Sequence, residues 1–437
     1  MSNLTIGVIG AIVCLLLIFT RMRVGITMMF VGLFGSVLMV GWGKTLNLLS
    51  AVAYSQISSY TLSCIPLFIL MGTVLSITGM GGALYNFARA ILGKVKGGLA
   101  MATVVACGLF AAVCGDSTAT AATMGKVAYP EMKAHGYQDK LSASTIVAGG
   151  TIGIMIPPSI TFIMYGLITE TSIGTLFMAG IIPGITQLIF YLITIAIFTR
   201  VSKNIAPSTI TVPMKEKLAT IKPVLPVVII FILLFGGLYT GLFTPTEAGA
   251  VCALLTVIVG IVIKKLNLKN FISAVKDALL TSCMVYFIFL GAYCFMRFMS
   301  LSGLPGYLSA TIVNYQTNNN VPPVVIILLI IAVYTVTGCF LDSMAVLLLT
   351  LPIMFPIVTN MGFDPIWYGV IMVRMMETSM ITPPFGLNLF TVAKTVNVAM
   401  PEMYKGIFPF IISDIIHIVM LILIPEIALY IPHLMGM

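Results

Sequence analysis

Twelve apolar runs separated by short polar loops leave this chain one kind of environment to fold in. They lie at about residues 4–20, 24–41, 61–80, 98–125, 142–168, 173–199, 223–243, 246–263, 278–300, 322–358, 366–392 and 404–430. A helix crosses the hydrocarbon core of a bilayer with roughly 20 apolar residues. Charged residues make up only 8% of the chain and hydrophobic ones 59%. Soluble domains carry about 25% charged residues because their surface must be solvated. The surface of this chain therefore faces lipid, and within lipid the backbone must bond to itself. The expected fold is an all-α polytopic membrane protein with the lipid bilayer as its first partner.

The net charge of +9 does not indicate nucleic acid, because the basic residues sit in short loops between apolar runs and form no polar face. None of the eight cysteines, all within apolar stretches, forms a C-x-x-C pair, and the three histidines lack metal-ligand spacing. Small packing residues are the simpler reading of those cysteines. Met1 to Leu4 carry no positive charge, so the first run reads as a retained helix and not a cleaved signal.

Two runs are interrupted by polar tips, Cys114 to Thr118 and Gly338 to Ser343. If each is a re-entrant hairpin, ten runs cross fully and both termini lie outside. All 22 Lys and Arg residues except Lys44, Arg297 and Arg374 then fall on the cytoplasmic side. Converting either hairpin into a single crossing would invert every later loop and destroy that bias.

The chain also repeats itself. A shift of 226 residues places Asp116 and Ser117 on Asp342 and Ser343, Pro130 on Pro356 and Gly136 on Gly362. It also places Pro157 and Pro158 on Pro383 and Pro384, Thr169 on Thr395, Gly180 on Gly406 and Pro183 on Pro409. Chance matches in an apolar chain would be mostly Leu, Ile, Val and Ala. These are mainly residues that break or cap the backbone. The expected organisation is two repeats, 1–221 and 222–437. The first holds a hairpin at about 98–125 and a broken helix at about 142–168, and the second holds them at about 322–358 and 366–392. Five full crossings per repeat is an odd number, so the second repeat is expected to be inverted. Inverted repeats with broken helices at the midplane are a recurring plan of secondary transporters.

Proline breaks free carbonyls inside the bilayer, tolerated only where they are buried or line a wet cavity. Such carbonyls, with hydroxyls and a carboxylate, suit sodium, and half-helix N-termini suit an anionic substrate. The expected first sodium site comprises Gly115, Asp116, Ser117, Gly150, Thr151 and Pro157. The second comprises Gly338, Asp342, Ser343, Thr378, Thr382, Pro383 and Gly386. The substrate is expected among Asp116, Ser117, Thr151, Ser159, Ser343, Asn388 and Arg297. Each of these has a blander reading. One Pro-Pro pair in a membrane helix is ordinarily a kink, and Asp116 and Asp342 also suit helix caps. The segment at Thr244–Glu247 reads as a capping box with Pro at the first turn. Arg374 and Glu377 read as a helix-face ion pair, and His417 as a packed or hydrogen-bonded residue. Residues 82–97 read as an interfacial amphipathic helix with Leu84, Phe87, Ala88, Ile91, Leu92 and Val95 on one face. Its counterpart spans Gly306 to Gln316.

Four ordered motifs carry a family resemblance: GDSTATAATMG at 115–125, GTIGIMIPPS at 150–159, TPTEAGA at 244–250 and ITPPFGLNLF at 381–390. Together they resemble the large membrane subunit of TRAP transporters, of the DctM/SiaM type, over essentially the whole chain. The resemblance implies a sodium-coupled, elevator-type importer of organic acid anions, with sialic acid favoured and C4-dicarboxylates next. It also implies two partners: a separate small four-helix membrane subunit (DctQ/SiaQ type) and a soluble periplasmic substrate-binding protein. A stand-alone sodium/dicarboxylate symporter shares the plan, but its Ser-Asn-Thr tips are absent here. An intramembrane hydrolase would need a nucleophile–base pair or a metal set such as H-E-x-x-H, which is missing. A channel fits paired hairpins less well than alternating access does.

Overall fold

The structure, a computed structural model, describes residues 2–20, 22–202, 204–207, 209 and 211–436. Arg21 and Lys203, two of the residues in the loop-charge pattern, lie outside them. Because lipid offers the backbone no hydrogen-bond partner, helices satisfy it, and the described residues hold α-helices and a single 3-10 turn. The first half comprises α1 (Asn3–Phe19), α2 (Val24–Val40), α3 (Trp42–Ile57), α4 (Cys64–Ile77) and α5 (Met80–Leu92). It continues with α6 (Gly98–Cys114), α7 (Ser117–Ala134), α8 (Asp139–Met155), α9 (Ile160–Thr169) and α10 (Ile173–Val201). The second half comprises α11 (Met214–Tyr239), α12 (Pro245–Val262), α13 (Leu268–Ser302), α14 (Leu304–Asn318) and α15 (Pro323–Phe340). It ends with α16 (Ser343–Asn360), α17 (Pro365–Ile381), α18 (Leu387–Val396), α19 (Met400–Leu423) and α20 (Glu426–Leu434).

The 226-residue shift seen in the sequence recurs in the helix bounds. It carries both ends of α7 onto those of α16, and both ends of α8 onto those of α17. The starts of α9 and α10 fall one residue short of those of α18 and α19. Two helices were not expected from apolar runs. Residues Trp42–Ile57 form α3, whose mixed composition hid it. With α4 it corresponds to the single long α13, which begins at Leu268 and not near 278. The last run divides at Pro425 into α19 and α20.

The amphipathic segment is shorter than 82–97 and rotated from the expected face. Helix α5 ends at Leu92 and buries Met80, Leu84, Tyr85 and Ala88, while Ile91 and Val95 are exposed. Arg89 pairs with Glu131 and so ties α5 to α7.

Burial separates an inner group of helices from an outer one. Of the apolar window within Asp139–Thr169, 94% is buried inside the protein, against 22% for α11. Around α8 pack α6, α7, α10, α17, α18 and α19. Outer helices expose Ile232, Leu254 and Leu280, residues that only lipid can accommodate over such an area. Nine helical stretches among the described residues are long and apolar enough to cross a membrane, by length and composition. Since lipid tails are as apolar as leucine, close backbone packing holds such helices together. A Cβ at Gly406 would fall 1.9 Å from the Lys140 carbonyl oxygen, so α19 and α8 touch through their backbones.

Candidate functional site

Four chain breaks frame the candidate site: the tips of the α6–α7 and α15–α16 hairpins and the breaks within α8–α9 and α17–α18. Gly115 ends α6 with φ 67, and Asp116 then caps α7. The Asp116 carboxylate accepts from the Ala119 N–H at 2.6 Å and from the Thr118 hydroxyl at 2.7 Å. A Cβ at Gly115 would lie 2.4 Å from the Pro158 carbonyl oxygen, so only glycine lets this tip rest on the diproline break. Gly150 and Gly153 give α8 a similar approach to the first turn of α7. Cβ atoms there would lie 3.2 Å from the Ser117 oxygen and 3.0 Å from the Asp116 oxygen, respectively. Ser159 caps α9 by accepting from the Phe162 N–H at 3.3 Å.

The second pair follows the same plan with different detail. Asp342 caps α16, accepting from the Ala345 N–H at 3.0 Å, and Ser343 begins that helix half-buried. Gly338 presses on α17, where a Cβ would lie 2.0 Å from Ser379 Oγ. Past the break, Gly386 at φ 57 donates its N–H to the Cys339 carbonyl at 3.3 Å. A Cβ there would lie 3.0 Å from the Met380 oxygen and 3.2 Å from the Thr382 oxygen. Thr382 and Thr378 hydroxyls donate back along α17, to the Thr378 and Arg374 carbonyls. Both diproline bonds, Pro157–Pro158 and Pro383–Pro384, are cis.

The two halves meet at a buried polar contact. The Asn388 amide, in α18, donates to Ser117 Oγ at the first tip at 3.1 Å, and the Met380 sulfur lies 3.6 Å from that hydroxyl. The structure thus brings Gly115, Asp116, Ser117, Gly150 and Asn388 together, with Pro157 and Ser159 in the adjoining break. It gathers Gly338, Asp342, Ser343, Thr382, Pro383 and Gly386 around the other break.

Thr151 and Arg297 lie elsewhere. The Thr151 hydroxyl donates to the Ala148 carbonyl and sits 3.2 Å from Tyr191 Oη, on the flank of α8 that faces α10. Arg297 is exposed on α13.

Glu247 forms the expected capping box, accepting from the Thr244 N–H at 2.8 Å while Thr244 Oγ1 accepts from the Glu247 N–H at 3.3 Å. Arg374 donates to Glu377 at 2.9 Å, as expected from their spacing. The sequence reading missed that Asp414 and His417 on α19 complete this group: both bond to the same guanidinium, and all four residues are buried. Their three-residue spacing, which puts a carboxylate and an imidazole on one helix face, was the available signal.

Comparison with known proteins agrees with this architecture. The family model for the DctM component of tripartite ATP-independent periplasmic transporters matches residues 11–427. The C4-dicarboxylate TRAP transporter large permease DctM of Pseudomonas aeruginosa is 34% identical over 86% of this chain and 87% of its own. The sialic acid large permease SiaM of Vibrio cholerae is 28% identical over 96% of both chains. The ectoine large permease TeaC of Halomonas elongata is 30% identical over 86% of each chain. In fold, the chain is similar to the YdaH transporter of Alcanivorax borkumensis, with a TM-score of 0.55 at 15% identity, covering 85% of this chain and 88% of that one. A match over nearly the whole length, carried by a fold with two tipped hairpins and two broken helices, places this chain in the DctM family of TRAP transporter large permeases, which are transporters and not enzymes.

Proposed function

We propose that this chain is the sodium-coupled permease of a tripartite importer in the bacterial inner membrane. A soluble periplasmic binding protein delivers an organic acid anion, and the inner helices carry it inward by an elevator movement beside a small four-helix subunit. The two repeats, 1–221 and 222–437, are inverted, so each hairpin opens to one side, and both termini are periplasmic. One observation carries the reading: each hairpin tip rests on the prolyl break of its own half, and the Asn388–Ser117 hydrogen bond joins the two sets. Matched helix breaks in two repeats serve alternating access.

Sodium is assigned to the two tip–break pairs. Backbone carbonyls lie against both breaks, that of Pro158 beside Gly115 in the first and those of Met380, Thr382 and Cys339 beside Gly386 in the second. Asp116 and Asp342, the carboxylate at each tip, are assigned the charge that offsets bound sodium. Gly115, Gly150 and Pro157 shape the first site; Gly338, Ser343, Thr378 and Pro383 complete the second. Thr151, turned toward α10, drops out of the first site. The substrate anion sits between the tips, at Ser117, Ser159, Ser343 and Asn388, where half-helix N–H groups point inward.

Sialic acid was the substrate favoured by overall resemblance. The higher identity to a C4-dicarboxylate permease, 34% against 28%, moves dicarboxylates to the head of the trial. The test is competition. With the cognate binding protein and small subunit reconstituted, labelled substrate uptake is challenged by excess succinate, sialic acid or ectoine. Inhibition by an organic acid anion is expected. Inhibition by none of them would contradict the substrate class.

A further inference from the structure

Away from the tips, the outer helices leave a cavity of about 620 Å³ that the transport reading does not use. Thr78 and Met80, where α4 passes into α5, line it together with Leu225 and Ile229 of α11 and Val259 of α12. The lining is almost wholly apolar, and Leu225 and Ile229 are exposed at the outer surface of the protein. A cleft of this size and character has the form of a ligand site: an apolar body with a small number of placed polar groups.

Here the placed polar groups are two lysines. Lys222, in the early turns of α11, and Lys265, just past the end of α12, both line the cavity and are exposed. The charge bias of the loops assigns both to the cytoplasmic side. Neither forms an ion pair among the described residues, whereas Arg89, Lys133 and Lys405 each have a carboxylate partner within the chain. Segments 214–222 and 263–270 together hold six lysines, with Glu216 as their one acidic residue, so the chain does not neutralise this end of the cavity. Helix α5 also starts here, at Met80, and brings the positive end of its dipole.

We propose that this cavity is a binding site for an anionic phospholipid of the cytoplasmic leaflet. Its phosphate meets the Lys222 and Lys265 ammonium groups, and its acyl chains lie along Leu225, Ile229 and Val259. Basic pockets between membrane helices on the cytoplasmic side bind anionic headgroups in this way. A small soluble anion would leave the apolar lining bare, and an apolar helix of another subunit would leave both lysines unpaired. Only a molecule that is anionic at one end and hydrocarbon at the other satisfies both. The site lies where α4 joins α5, and α5 is tied to the first hairpin through Arg89 and Glu131. A bound lipid therefore packs against the link between the outer helices and that hairpin. The proposal depends on the membrane topology and not on sodium coupling or on the transported substrate.

Native mass spectrometry of the purified permease with its small subunit, titrated with phosphatidylglycerol or phosphatidylcholine, tests the site. Wild-type protein is expected to retain phosphatidylglycerol in preference to phosphatidylcholine. Lys222→Gln and Lys265→Gln are each expected to weaken phosphatidylglycerol binding by about 5-fold. Lys44→Gln, on the opposite side of the membrane, is expected to leave it unchanged. Equal retention of the two lipids, or both cavity variants matching wild type, would overturn the proposal. A photoreactive benzoylphenylalanine in place of Ile229 identifies the occupant in nanodiscs that contain phosphatidylglycerol. A phospholipid adduct is expected. Cross-linking to the small subunit instead, or no lipid adduct, would overturn the site.

Discussion

Ser117 and Asn388 are 271 residues apart, yet they share a buried hydrogen bond at the meeting point of the two tips. Truncating Asn388 to Ala leaves the Ser117 hydroxyl buried without that partner, a change of about 1–3 kcal/mol. The expected outcome is a raised half-saturation concentration for substrate in uptake assays, with the protein still folded. Arg374 behaves differently, because its removal leaves two buried carboxylates facing each other. Arg374→Met is expected to destabilise the fold by about 3–5 kcal/mol, read as a lower unfolding temperature in detergent. At this scale the sequence was partly legible. Asp116 and Asp342 were readable as caps because each follows a break and precedes a helix. Thr151 was not, because successive helix positions turn by roughly 100°, and the rotation of α8 is set by packing. Gly150 and Gly153 face α7, and the residue beside Gly150 faces α10. Asp414 escaped notice because its partner, Arg374, arrives from a different helix.

Hairpins and broken helices were the most legible elements, since glycine, proline and a capping aspartate mark them locally. Both hairpins run about as long as expected, though α7 continues to Ala134 beyond the apolar run. Less visible were α3 and the start of α13. There the sequence is mixed and the helix mostly exposed, so no continuous apolar stretch marks it. The face of α5 was misplaced for a related reason: Tyr85 is buried against the hairpin, whereas Ile91 and Val95, both apolar, project outward. Close approach at the tips gives a direct prediction. Gly338→Val would drive side-chain atoms into Ser379, whose Oγ already lies 2.0 Å from a Cβ position. Overpacking of this kind costs about 1–3 kcal/mol or more. Uptake is expected to be abolished, with the unfolding temperature reporting how much of the loss is structural. Ser343→Ala, which removes only a hydroxyl, is expected instead to raise the sodium concentration for half-maximal uptake.

For the whole molecule, the repeat visible as Gly, Pro, Asp and Ser matches returns as matched helix bounds. The buried helices α8 and α17 form the inner body and the lipid-exposed α11 to α13 belong to the outer one, a division suited to one body moving against the other. Inversion of the second repeat predicts that single cysteines at Asn319 and Lys215 label from opposite sides of the membrane. Labelling from the same side would remove the inversion and, with it, the symmetry that relates the two proposed ion sites. The account as a whole rests on coupling. Its most direct test is uptake of a labelled organic acid anion into proteoliposomes holding this chain and its small subunit. Binding protein and an inward sodium gradient are each supplied or withheld. Uptake should require both. Uptake indifferent to the sodium gradient, or complete without the binding protein, would contradict it.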